Sequence, residues 1–185
     1  MIKMDISVDL SMARKGAEAA KAMLTELRMR YDLSRWEFTD KVRIAPFEIP
    51  HSHPVLTLNS QYAIGPGKDE ELFLATYVHE QIHWLLDDHR SEGTERASEE
   101  FKGKYPNFHE GTPSTAQDEY STYLHFAVNW LELTALIELH GTERARAILA
   151  RHRIYSKIYG AVLTETDVIE TVLLKTGVLP LPQSQ

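Results

Sequence analysis

His79-Glu80-Gln81-Ile82-His83 is the run that most limits how this chain can fold, because its two histidines share a face only on a helix. The neighbours agree with a helix. Leu74, Val78, Ile82 and Leu85 keep helical spacing, and Asp69, Glu70 and Glu71 suit a helix start, where negative charge meets the positive end of the macrodipole. Gln81 and Ile82 are uncharged and no proline interrupts the run, so the spacing predicts a buried helix presenting two imidazoles. Burying it takes a sizeable core. With 185 residues, 43% hydrophobic and 25% charged, the chain reads as one ordinary folded domain spanning 1–185.

A second long helix is expected from the cap Thr112-Pro113, with Ser114 and Gln117 as a capping box, to the stop at Gly141. Its interior is almost wholly apolar, yet Asp118, Thr122, His125, Asn129 and Glu132 recur at spacings of three or four. Buried polar groups must find partners, and a metal with its surrounding hydrogen bonds is one way to supply them; a helix–helix hydrogen-bond network is another. Ala13 to Tyr31 reads as a first helix. Short runs at Val42–Ile44, Phe47–Ile49 and Val55–Asn59, punctuated by Pro46, Pro50 and Pro54, read as edge strands. Residues 87–111 read as a polar connector with a weak helix near Thr94–Phe101. Arg151–Tyr155 is placed in a third helix with an exposed basic face, and Thr164 with Asp167 opens a last helix that stops at Gly177 before a frayed Pro180–Gln185 tail. The expected class is α+β, mostly helical, with a small edge sheet and the His79–His83 helix packed against the second long helix.

Two His on one helix face with an acid between them suit a divalent metal. Zn2+ held by two His and a third ligand keeps one position for water, whose pKa falls to roughly 7. A carboxylate beside it, here Glu80, can take the proton during attack on a carbonyl and pass it to the leaving amine. With its flanks Thr76-Tyr77-Val78 and Trp84-Leu85, the motif resembles that of zinc metallopeptidases of the zincin class. Ser121–His125 with Asn129–Glu132 resembles a segment of small bacterial HExxH proteins, and that likeness runs from the motif helix to Tyr155–Tyr159. The resemblance implies a zincin-like fold, a peptide or protein substrate and metallopeptidase activity, and it carries no known substrate.

Three residues are candidates for the third ligand. His125, among apolar residues with Asn129 and Glu132 behind it, is the expected one. Glu119 is the alternative, although a helix start favours Glu without any site. His89 fits least: a pattern that turns back to the metal needs a glycine where this chain has Leu86, and a continuing helix would rotate His89 away. Tyr155, Tyr159 and His152 are candidates to donate to the oxyanion, and each is equally explained as core or surface. His51, His53, His109 and Glu110 read as loop residues.

Net charge of -7 gives no reason to expect attraction to nucleic acid or an anionic membrane. Cysteine is absent, which removes disulfides and thiolate sites together. Asp5 and Asp9 interrupt the first apolar stretch, so no signal peptide is expected and the cytoplasm is the default location. The leading expectation is a zinc-dependent peptidase. A metal-binding regulatory or interaction protein that cuts nothing is the alternative. A helical di-iron protein needs a Glu-x-x-His on each of two helices, and only Glu80-x-x-His83 is present.

Overall fold

A computed structural model describes residues 4–8 and 14–179, the side chains of Arg14, Asp88 and His89 excepted. The chain divides into two compact units, one through Trp84 and one from Leu85. Among the described residues it is mostly helical, with one small sheet. The Pro180–Gln185 tail lies outside the described residues.

In the first unit β1 (Asp5–Val8), α1 (Arg14–Arg30) and β2 (Lys41–Ile44) form a strand–helix–strand crossover, and β3 (Leu56–Leu58) extends the sheet in the order β1-β2-β3, all parallel. Parallel neighbours need such long connections, which explains why a whole helix separates β1 from β2. Ala17, Ala20, Leu24 and Leu27 turn inward from α1 at helical spacing. Gly16 lets α1 approach the loop that follows β3: a Cβ there would stand 2.9 Å from Ser60 Oγ. β3 closes the sheet, yet Leu56, Thr57 and Leu58 are all buried. The cover comes from the β2–β3 loop, where His51 bridges Thr57 in antiparallel fashion through N–H to O contacts of 3.1 and 2.7 Å.

The expected strand at Phe47–Ile49 is not formed. Glu48 N–H turns back to Ala45 O at 3.1 Å, between Pro46 and Pro50, and leaves Phe47 and Ile49 exposed. Proline on both sides removes the donors a ladder needs. β1 was not anticipated: with only Ile6 and Val8 apolar and half exposed, it is held by pairing to residues far along the chain.

The motif helix α2 (Glu70–Trp84) starts as expected, with Asp69 Oδ1 accepting from the N–H groups of Glu71 and Leu72, each at 3.1 Å. Leu74, Val78 and Ile82 are fully buried. The chain continues as a π-helical turn, Leu85–His89.

The second unit is helical: α3 (Ser91–Lys104), α4 (Glu119–His140), α5 (Thr142–Leu149), α6 (Ser156–Thr164) and α7 (Thr166–Thr176), with α4 packed against the other four. Three expectations need correction. The supposed connector holds the full helix α3, whose Thr94, Ala97, Ser98 and Phe101 are buried at helical spacing; small and polar residues hid that face. Gly93 belongs to it, since a Cβ would meet the Gly177 backbone at 3.1 Å. The long helix begins at Glu119, not near Pro113; Asp118 Oδ1 caps it by accepting from Ser121 N–H at 2.7 Å. Arg151–Tyr155 is not helical but a turn joining α5 to α6, so Thr164 ends α6 rather than opening the last helix. Gly141 and Gly177 end α4 and α7 as expected.

Phe126 is the centre of this unit's core, stacked on Phe101 and Tyr105 with ring centroids 5.1 and 4.9 Å away and edge-on to Phe108. Phe126→Ala is expected to cost about 3–5 kcal/mol, read as a lowered urea midpoint by circular dichroism; an unchanged midpoint would contradict this packing. No helix among the described residues is long and apolar enough to cross a membrane.

Candidate metal centre

On α2 the rings of His79 and His83 stand edge to face with centroids 5.2 Å apart. His79 is buried, and burial lowers its pKa to about 4. It is therefore neutral near pH 7, the form that ligates a metal. Glu80 is buried on the adjoining face.

Behind the motif, Gln81 fixes the rotation of α2. Its Oε1 accepts from Phe38 N–H at 2.7 Å and Thr39 N–H at 2.9 Å, while Nε2 donates to Thr39 O and to Tyr77 Oη, both at 3.0 Å. All four positions of a fully buried amide are thus used. Tyr77 donates in turn to Glu37 at 2.9 Å, and Arg28 holds the other Glu37 oxygen at 2.8 Å. Burial, followed by the Glu37 charge, raises the Tyr77 pKa and keeps the phenol a donor. Such a buried ion pair adds little net stability against its desolvation, but breaking it by removing one partner is costly, which ties α2 to one register. The sequence showed Gln81 only as an uncharged motif position. Its partners lie far along the chain and left no local signal.

On α4 the imidazole of His125 is buried, with Nδ1 2.6 Å from Ser121 O. A carbonyl only accepts, so Nδ1 carries a hydrogen, the arrangement by which ligating histidines are commonly held. The Tyr155 ring lies 3.9 Å from the His125 ring, centroid to centroid. Tyr155 sits in the left-handed region at φ 57°, and its N–H donates to Pro113 O at 2.7 Å.

Among the described residues, His79, His83 and His125 are the three whose ligand atoms could serve one metal ion. A set of three imidazoles fits zinc.

Glu119 is not gathered there. It is half exposed and pairs with Lys102 at 2.7 Å. The His89 side chain lies outside the described residues. His109 reaches Thr122 Oγ1 at 2.8 Å, and Glu110 pairs with Lys157 at 2.6 Å. His53, read above as a loop residue, stacks on Trp84 at 4.2 Å, while Trp84 Nε1 donates to Ser52 O at 2.9 Å.

The polar stripe of α4 is buried from Thr122 through His125 and Asn129 to Glu132. Glu132 accepts from Tyr159 Oη at 2.6 Å and lies 3.7 Å from His152 Nε2. Burial pushes its pKa up to about 7. Tyr159 and His152, considered above for an oxyanion, are thus turned to Glu132, with the two rings stacked 4.9 Å apart. Compared with known protein families, curated proteins and solved structures, the chain matches none.

Proposed function

We propose that this chain is a zinc-dependent peptidase with a zincin-like site, in which His79, His83 and His125 hold Zn2+ and Glu80 is the general base. The observation that carries the reading is the i, i+4 histidine pair that flanks Glu80 on α2, with ring centroids 5.2 Å apart and His79 made neutral by burial; His125 is the third residue able to serve the same ion. When bound, zinc supplies a Lewis acid that lowers the pKa of water to roughly 7 and polarises a carbonyl oxygen.

The protein's part is positioning and proton transfer. His79 enters as a neutral donor, made so by burial, and His125 is oriented by Ser121 O. The Gln81 clamp holds α2 in register. A Glu80 carboxylate oxygen takes a proton from the attacking water and delivers it to the leaving nitrogen as the C–N bond breaks, giving one carboxylic acid and one amine. Tyr155, whose ring rests on His125, is the tyrosine best placed to act on the substrate.

A second reading has one observation in its favour. Zincin-type sites align an extended peptide along an edge strand, and Val55–Asn59, read above as an edge strand, is the segment of this chain suited to that role. Here His51 already occupies that edge at Thr57. A metal-binding regulatory or interaction protein needs no such edge.

Elemental analysis after passage over a weak chelating resin is expected to find about one zinc per chain, lost in His79→Ala and His83→Ala. A peptide library supplies the second measurement. Cleavage that depends on zinc supports the peptidase, bound zinc without cleavage supports the regulatory reading, and absence of bound zinc sinks both.

A further inference from the structure

Tyr155 is held between two partners of one buried carboxylate. It sits in the left-handed region at φ 57°, with its ring 3.9 Å from that of His125. A bulky residue in that conformation stores strain, and only the contacts around it keep it there. Earlier in the same turn, His152 Nε2 stands 3.7 Å from Glu132 Oε1. One helical turn later, Tyr159 Oη donates to Glu132 Oε2 at 2.6 Å, and Tyr159 N–H closes the start of α6 on Tyr155 O at 2.9 Å. The His152 and Tyr159 rings also stack, 4.9 Å apart. Glu132 thus meets the chain on both sides of the strained residue.

Glu132 is fully buried on α4, where a charge is costly. Burial pushes its pKa up to about 7, against the opposing influence of His152 and the hydrogen bond from Tyr159. His152 faces it from the turn between α5 and α6, and Tyr159 from α6. The other helices packed on α4 bring no titratable group: among the described residues the buried faces of α3, α5 and α7 carry only apolar residues, glycine, serine and threonine. At 3.7 Å the His152 imidazole stands outside the roughly 2.7–2.9 Å of a charge-assisted hydrogen bond, so the arrangement suits a neutral acid better than a closed ion pair. When the acid loses its proton to solvent, a charge appears in the core. His152 and Tyr159 are the groups that can move to meet it, and their movement shifts both flanks of Tyr155.

We propose that Glu132, His152 and Tyr159 form a proton-sensitive latch: with Glu132 neutral, Tyr155 is seated on His125, and ionisation of Glu132 unseats it. A strained residue inside packed contacts suits such a device, because packed elements switch between discrete arrangements rather than deforming continuously. All of these residues belong to the second unit. The latch needs neither metal nor substrate, so its failure and that of the peptidase reading are separate events.

The test follows the Tyr155 ring by NMR in the full chain carrying ring-labelled tyrosine, the signal being assigned with Tyr155→Phe. As pH rises from about 5 to about 9, the signal is expected to move in one step, well below the range in which a tyrosine itself titrates. Its midpoint should fall near the Glu132 pKa of about 7. In Glu132→Gln, whose amide oxygen can still accept from Tyr159, the step should vanish. In His152→Gln the midpoint should rise, because His152 favours the ionised carboxyl; that shift decides the matter alone if Glu132→Gln does not fold. A parent signal that stays flat overturns the proposal. So does a step that persists in Glu132→Gln, since it would then report on His125. Stability gives a second measurement. With its folded pKa raised from 4.5 to about 7, Glu132 contributes stability that is full below the lower value and lost as pH rises through the higher one. The urea midpoint of Glu132→Gln should therefore gain on the parent across that window and keep the gain above it. A difference that is level or runs the other way overturns the latch.

Discussion

Glu80→Gln is expected to keep its zinc and lose hydrolytic turnover by roughly 10²–10⁴-fold or more, which at about 1.4 kcal/mol per decade is roughly 3–5 kcal/mol or more of barrier. The substitution changes little else. Glutamine has nearly the same size, so the buried position on α2 is filled as before, and the Gln81 clamp that sets the helix rotation is untouched. What is lost is the ability to accept a proton, since an amide oxygen is far too weak a base near neutral pH. Turnover on a peptide that the parent chain cleaves, measured beside zinc content and the circular dichroism spectrum, isolates that loss. Comparable turnover by the variant at equal zinc would remove Glu80 as the base and the zincin mechanism with it.

Where the chain encodes structure locally, its residues announce it. The i, i+4 histidines, the acidic helix start at Asp69 and the apolar stripe made α2 legible, and the helical spacing of Thr122, His125, Asn129 and Glu132 marked a polar line inside an apolar helix that is indeed buried. Capping was harder to read. Thr112-Pro113 and Asp118 both carry cap chemistry, and the structure uses Asp118, whose side chain reaches Ser121 N–H. α3 was underestimated because its inward residues are small or polar apart from Phe101, and they pack through a glycine contact that periodicity does not reveal. Least legible were features made by distant partners. The parallel pairing of β1, the antiparallel cover of β3 by His51, and the Arg28–Glu37–Tyr77–Gln81 network each depend on residues that sequence proximity does not bring together.

His125→Ala is expected to weaken zinc binding by more than the roughly 10–100-fold typical of losing an outer hydrogen-bond partner, while Glu119→Ala leaves it nearly unchanged. Two histidines alone bind zinc weakly, so the third donor decides affinity. Among the candidates, His125 is held as ligating histidines are, buried and with Nδ1 turned to Ser121 O. Glu119 is engaged with Lys102 at the solvent-facing start of α4, and its removal should cost only an exposed ion pair. The choice matters for chemistry as well as affinity. A third neutral imidazole leaves the zinc centre at a net charge of about +2, a stronger Lewis acid than a centre completed by a carboxylate. Competition titrations against a chromophoric chelator, with folding checked by circular dichroism, rank the two variants directly. If Glu119→Ala abolished binding and His125→Ala left it intact, the ligand set would be a carboxylate one. Glu119 would then have to leave Lys102 and move to the metal, and the three-imidazole centre would be wrong even though Glu80 could still serve as the base.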